Sequence, residues 1–417
     1  MNLVIEAIHA MEVLDSRGNP TVSAEVRLAC GITAEASVPS GASTGTHEAL
    51  ELRDQGQRRY GGHGVLRAVG NVNQILAPAL RGMDAADQPA IDRRMIELDG
   101  TPNKARLGAN AILAASCAVA RAAAAGRGIP LWRHLADGRR PLLPVPMVNI
   151  LSGGLHAGGN IEFQDFLVIP RGFPTYAQAL EAVRAVHAAA HWVIEDRGFV
   201  LTGVADEGGW GPRFHSNEEA LEILSASIDF ARYRPGEEMA IAIDVASTHF
   251  WRDGAYPLHT EDRILSAPEM AAMLGQWVAK YPVISIEDGL AEDDWDGWRG
   301  LTAALGGRVQ LIGDDLFATN LDRLNRGIAA AVANSVLVKM NQAGTLTETF
   351  AVMDRAREAG YRAVISARSG ETEDSFLADL AVASGAGQIK VGSVRTSERL
   401  AKYNRLLKLE ADLEWPG

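Results

Sequence analysis

Val283-Ile284-Ser285-Ile286-Glu287 is a short apolar run that stops on a charge, and the chain repeats the arrangement. Ala240-Ile241-Ala242-Ile243-Asp244, Gln310-Leu311-Ile312-Gly313-Asp314 and Ser335-Val336-Leu337-Val338-Lys339 read the same way. So do Ala363-Val364-Ile365-Ser366 and Gly387-Gln388-Ile389-Lys390, each ending on a polar residue. Runs this short and continuous suit strands buried on both faces, as in a parallel sheet. A helical pattern follows each, and spacings of a few tens of residues suit βα units, so the repetition predicts an α/β barrel. An open doubly wound sheet is the rival. It calls for a glycine-rich nucleotide turn after its first strand, and the chain has no GxGxxG or P-loop.

In such a barrel the C-terminal ends of the strands converge on one mouth. Asp244, Glu287, Asp314, Lys339 and Lys390 stand at those ends. One such carboxylate alone reads as a solvated loop residue or a helix cap. Several ionisable groups ending successive buried strands do not, because a buried charge is costly unless paired or metal-bound. Oxygen ligands of this kind suit Mg²⁺, and no His/Cys cluster suggests zinc. A lysine base beside Mg²⁺ suits removal of a proton next to a carboxylate, with nearby cations lowering the lysine pKa.

Upstream the rhythm differs. Val22, Ala24, Val26 and Leu28 alternate as in a strand. Ala109 to Ala125 reads as an alanine-rich helix ended by Gly126, Gly128 and Pro130. Pro141-Leu142-Leu143-Pro144-Val145-Pro146 marks a boundary between an N-terminal α+β domain, 1–135, and a barrel domain, 142–417. A chain of 417 residues suits two domains. Its 40 basic and 52 acidic residues disfavour a general nucleic-acid binder but not a small anionic ligand. Cys30 and Cys117 lie in apolar surroundings, which suits a reduced, cytoplasmic protein. The N-terminus has no basic leader pattern. The apolar run from Ala109 to Ala120 is too short to span a bilayer and ends at Arg121. Ser40-Gly41-Ala42-Ser43-Thr44-Gly45 offers many accessible N–H groups to an anion, although an ordinary turn reads alike. Ser152 to Gly159, with His156, is a second glycine-rich segment.

Ser366-Ala367-Arg368-Ser369-Gly370-Glu371-Thr372-Glu373-Asp374 resembles the enolase segment Ser-His-Arg-Ser-Gly-Glu-Thr-Glu-Asp, with Ala367 in the place of histidine. Further motifs extend the resemblance over nearly the whole chain. They begin at Ser16, Val38, Asn103, Asp206, Ser285, Gly313, Asn341 and Ala401. The resemblance implies an α+β domain on a barrel with a modified first turn, assembled as a homodimer or a ring of dimers. It implies two Mg²⁺ per site, the first on Asp244, Glu287 and Asp314 and the second under Ser43. By the same resemblance Lys339 is the base at C2, Lys390 the partner of the substrate carboxylate, and Glu207 the acid at the leaving hydroxyl. His156, Gln164 and Asp165 are neighbouring active-site residues, and Arg368 and Ser369 bind phosphate. Arginine suits that role because its planar fork makes two hydrogen bonds to one phosphoryl group.

Four positions depart from the pattern. Asp165 replaces glutamate, Ala367 replaces histidine, Thr248-His249-Phe250 replaces Ser-Glu-Phe, and Val391 replaces threonine. They cluster around the substrate while the metal ligands and both lysines are kept. The leading expectation is therefore a specialised dehydratase with an enlarged phosphoryl or phosphonate pocket. Carboxyphosphonoenolpyruvate synthase, of phosphinothricin-type antibiotic pathways, is such a branch. The alternatives are an ordinary glycolytic enolase and a non-catalytic enolase-like binding protein.

Overall fold

A computed structural model describes residues 1–41, 45–56 and 58–413. It opens with an antiparallel sheet of β1 (Ile5–Leu14), β2 (Pro20–Leu28) and β3 (Thr33–Ser37). The predicted alternation on β2 is real: Val22, Ala24, Val26 and Leu28 are buried, with Glu25 and Arg27 exposed. The turn between β1 and β2 is held by Asp15, whose Oδ1 accepts the N–H groups of Arg17 (2.9 Å) and Asn19 (2.8 Å).

The helix Ala109–Arg127 packs across β2 and β3. It is longer than the sequence suggested, and by length and composition alone it would pass for a membrane span. Within it, the Arg121 guanidinium reaches out to the Asp374 carboxylate at 2.6 and 2.9 Å. Gly126 does not end it, since it is buried where a β-carbon would meet Leu3 at 2.4 Å. Gly128, in the left-handed conformation, is the stop.

Eight strands then close a barrel in the order β4 (Val145–Ser152), β5 (Asp165–Pro170), β6 (Met239–Asp244), β9 (Val283–Glu287), β10 (Gln310–Gly313), β11 (Ser335–Val338), β12 (Arg362–Ser366) and β13 (Gln388–Gly392). β7 (Tyr256–Leu258) and β8 (Arg263–Leu265) form a separate hairpin. β5 runs antiparallel to both its neighbours, and the other pairs are parallel. This is the modified first turn that the resemblance implied. The proline-rich stretch runs into the barrel, because Val145 and Pro146 already pair with β13.

Two apolar layers follow from the strand alternation. Met147, Leu167, Ala240, Ala242, Ile312, Leu337 and Val364 fill the barrel. Ile241, Ile243, Leu311, Val336, Val338 and Ile365 belong to the larger core under the helices. Truncating a barrel-filling residue such as Leu337 to alanine costs about 2–5 kcal/mol.

Candidate active site

The same alternation aims the charged residues. Asp244 lies two residues past Ala242, Asp314 two past Ile312, Lys339 two past Leu337, and Ser366 two past Val364. Each thus continues an inward-facing row to the barrel mouth. Asp165, Asp244 and Glu287 stand side by side in register on β5, β6 and β9. The chemistry gathers in a small cavity of about 20 Å³ lined by His156, Gln164, Glu207, Lys339, Ala367 and Lys390, among others. A wider groove of about 1100 Å³ lies elsewhere, between β1 and the C-terminal helix Ser397–Leu409.

Lys390 Nζ donates to Asp244 Oδ2 at 2.7 Å and to both Glu287 oxygens at 2.8 Å. Lys339 Nζ pairs with Asp314 Oδ2. Gln342 Nε2 donates to the other Asp314 oxygen at 3.0 Å, and the Thr319 hydroxyl fixes Gln342. Burial and the Asp244 charge push Glu287 well above the ordinary carboxylate range, despite Lys390. Burial lowers both lysines, but the carboxylates outweigh it and hold both above their ordinary value. The neighbouring Arg368 pulls Lys339 down in the expected direction, but less strongly than Asp314 lifts it.

On the β4–β5 side, His156 Nδ1 lies 2.9 Å from Asp165 Oδ2, and Nε2 lies 3.8 Å from Glu207 Oε1. Burial disfavours the charged imidazole, yet Asp165 and Glu207 raise its pKa to about 9. His156 is therefore an imidazolium at neutral pH. Burial raises Glu207, but His156, Arg399 and the two lysines bring it below its usual value, so it is a carboxylate here. Asp165 does not face the cavity. Asn149 (2.5 Å) and Ser152 (3.1 Å) donate to its Oδ1, and His156 occupies Oδ2. Gln164 Nε2 donates to Asp244 Oδ2 at 3.3 Å, and its buried Oε1 has no partner among the described residues.

Opposite lie Ala367, Arg368 and Ser369, beyond the end of β12. Arg368 Nη1 donates to Glu48 Oε2 and Asn341 Oδ1, both at 2.9 Å. Arg399 holds the segment from behind, donating to the carbonyls of Arg368 (2.6 Å), Ser369 (2.6 Å) and Val391 (2.9 Å). Lys402 Nζ adds Glu371 at 2.8 Å. Gly370 pairs with Ser40 so closely that a β-carbon would stand 2.5 Å from Asp15 Oδ2, so only glycine fits there. Ala367 is buried, and its N–H donates to the Lys390 carbonyl at 2.9 Å. His249 lies in the short turn after β6, and the Thr248 hydroxyl accepts the Glu292 N–H at 2.9 Å. Val391 continues β13 and is buried in the larger core. Ser43 lies outside the described residues.

The structure thus brings together His156, Gln164, Asp165, Glu207, Asp244, Glu287, Asp314, Lys339, Ala367, Arg368, Ser369 and Lys390. Sequence reasoning did not single out Asn149, Ser152, Gln342, Asn341, Glu48, Arg399 or Lys402. Asn341 and Gln342 open one of the matched motifs and Lys402 lies in another, which was a usable signal.

Two family models match the chain: Enolase, N-terminal domain, over residues 5–135, and Enolase, C-terminal TIM barrel domain, over residues 140–415. A protein named Enolase from Acidothermus cellulolyticus (strain ATCC 43068 / DSM 8971 / 11B) is 54% identical over 411 residues, covering 99% of this chain and 95% of the relative. The chain belongs to the enolase family. Membership makes it a hydro-lyase that works with Mg²⁺. These matches favour the ordinary enolase reading and give no support to the antibiotic-pathway branch.

The donor set fits that cofactor. Asp244, Glu287 and Asp314 are buried carboxylates on neighbouring strand ends, all oxygen donors, paired here with lysine ammoniums. Hard oxygen ligands with surplus negative charge suit Mg²⁺.

Proposed function

We propose that this chain interconverts 2-phosphoglycerate and phosphoenolpyruvate by loss of water, the ordinary enolase reaction of glycolysis. The observation that carries this reading is the pairing of two buried lysines with three strand-end carboxylates, in a chain 54% identical to an enolase.

Asp244, Glu287 and Asp314 would hold the first Mg²⁺, with Ser43 contributing to a second. Bound there, Mg²⁺ supplies positive charge against the negative charge that builds on the substrate carboxylate. Lys339 takes the C2 proton. Its ammonium is held by Asp314 in this structure, so it becomes a base when Asp314 is drawn away from it. Lys390, which lines the same cavity, reaches the substrate carboxylate.

Arg368 and Ser369 bind the phosphoryl group, and Gln164 turns its open Oε1 toward the substrate. At the leaving hydroxyl the proton is carried by His156, charged in this structure, beside the Glu207 carboxylate. Glu207 then orients and relays that proton. Asp165 acts through His156 and is a positioning residue.

The Ala367 side chain offers no proton donor to the phosphoryl group. This one position favours the second reading, a substrate with a larger substituent on phosphorus. The proposal is tested by exchange of the C2 hydrogen of 2-phosphoglycerate in deuterated buffer. Wild type and Glu207→Gln should exchange, and Lys339→Ala should not. Exchange that persists in Lys339→Ala would remove the base from this scheme.

A further inference from the structure

Two cations of the C-terminal helix Ser397–Leu409 stand outside the catalytic cavity and take no part in the scheme above. Arg399 and Lys402 are both 0% exposed and lie three residues apart, on one face of that helix. A positive charge buried this deeply is costly unless its donors are met. Most of what meets them is the backbone of the segment that follows β12.

Arg368 is gripped at both its carbonyl and its N–H. The carbonyl accepts Arg399 Nη1 at 2.6 Å. The N–H donates to Glu371 Oε1 at 3.1 Å, and Lys402 Nζ holds Glu371 Oε2 at 2.8 Å. Lys402 also donates to the Thr372 carbonyl at 2.5 Å. Arg399 Nη2 takes the Ser369 carbonyl at 2.6 Å, and Nη1 takes the Val391 carbonyl, next to Lys390, at 2.9 Å. The Glu207 turn joins at the same corner. The Ser393 N–H donates to the Glu207 carbonyl at 2.8 Å. A β-carbon on Gly392 would stand 3.1 Å from that carbonyl oxygen and 3.1 Å from Arg399 Cδ, so glycine lets the three meet. Burial raises the Glu207 carboxyl, and the Arg399 charge, after that of His156, brings it down.

We propose that Arg399 and Lys402 are positioning residues for the phosphoryl end of the substrate: they fix the Arg368–Ser369 backbone, and with it the distance to Glu207, without touching the substrate. The proposal rests on the reading of Arg368 and Ser369 as phosphoryl ligands. Both project from a stretch past the end of β12, so their aim depends on what holds that stretch. A displacement of about 1 Å there costs on the order of 10²-fold in rate. The rigid fork of Arg399 sets two successive carbonyls in one geometry, which a flexible ammonium does not.

The test compares wild type with Arg399→Lys, which keeps the charge and loses the fork, and with Lys402→Met. Inorganic phosphate alone is titrated into each full-length protein by isothermal titration calorimetry. Values of kcat and KM are measured with 2-phosphoglycerate and Mg²⁺. Each variant should bind phosphate about tenfold more weakly and show a KM raised by about as much, with a smaller change in kcat. A role in folding alone lowers the active fraction, so kcat falls while KM and phosphate affinity stay at wild-type values. That result in both variants would overturn the proposal, and in Lys402→Met alone would remove Lys402 from it. If Arg399→Lys does not fold, Lys402→Met decides by the same two readouts. Failure of both variants to fold would assign both residues to the fold and overturn the proposal. A wild type that binds phosphate yet gives no turnover would count against the glycolytic reading and leave the phosphate comparison to decide this one. A wild type that binds no phosphate would overturn the phosphoryl site and this proposal with it.

Discussion

Lys390 Nζ stands 2.7 Å from Asp244 Oδ2, so the chain's own ammonium occupies the focus of its strand-end carboxylates. Glu287 shares the same nitrogen at 2.8 Å. Removing this lysine leaves two buried anions side by side. Lys390→Met should destabilise the metal-free protein by about 3–5 kcal/mol. Mg²⁺ should restore more stability to the variant than it adds to wild type, because it replaces the lost positive charge. Urea unfolding with EDTA and with Mg²⁺ checks this. An equal Mg²⁺ effect on both proteins would show that Asp244 and Glu287 do not bind the ion.

The His156–Asp165 contact carries a second prediction. Burial alone would keep this imidazole neutral, and Asp165 is the first charge that reverses the balance. Asp165→Asn should lower the His156 pKa from about 9 by about two units. A fall in kcat on the order of 10²-fold should accompany it, the scale expected of a weakened proton donor. NMR titration of ring-labelled histidine reads the pKa directly. A value still near 9 would assign the shift to Glu207 instead.

A third prediction concerns acid stability. His187 is buried, with Nε2 3.0 Å from the Gly208 carbonyl oxygen. Burial brings its pKa from 6.5 down to about 4. Between those values the unfolded chain binds the proton and the folded protein does not. Its contribution is therefore fully present above about pH 6.5 and is lost as pH falls toward 4. The loss is up to about 3 kcal/mol. His187→Gln should lose less stability than wild type between pH 7 and pH 5, read from urea midpoints. Equal losses would contradict the assignment.

The barrel and its mouth were legible because their signal is local. A few apolar residues ending on Asp244, Glu287 or Lys339 encode both a buried strand and an inward-facing last residue. The contacts that give these residues their properties are not local. Glu48 meets Arg368 across 320 positions of sequence, and no periodicity announces that. Arg121 read as the end of an apolar run, and its partner Asp374 lies 253 positions away. Asp165 read as an active-site carboxylate one methylene short. Asn149 and Ser152, three-dimensional neighbours from β4, are what turn it away from the cavity and onto His156. The lysine pKa shifts depended on a count of nearby carboxylates that the linear chain conceals.

Ultraviolet detection of phosphoenolpyruvate formed from 2-phosphoglycerate, with Mg²⁺ and with EDTA, tests the dehydratase reading most directly. The expected result is saturable, Mg²⁺-dependent turnover by wild type, with Ala367→His changing its rate but not creating it. The contradicting result is a wild-type protein that binds Mg²⁺ yet forms no phosphoenolpyruvate, alongside an Ala367→His variant that does.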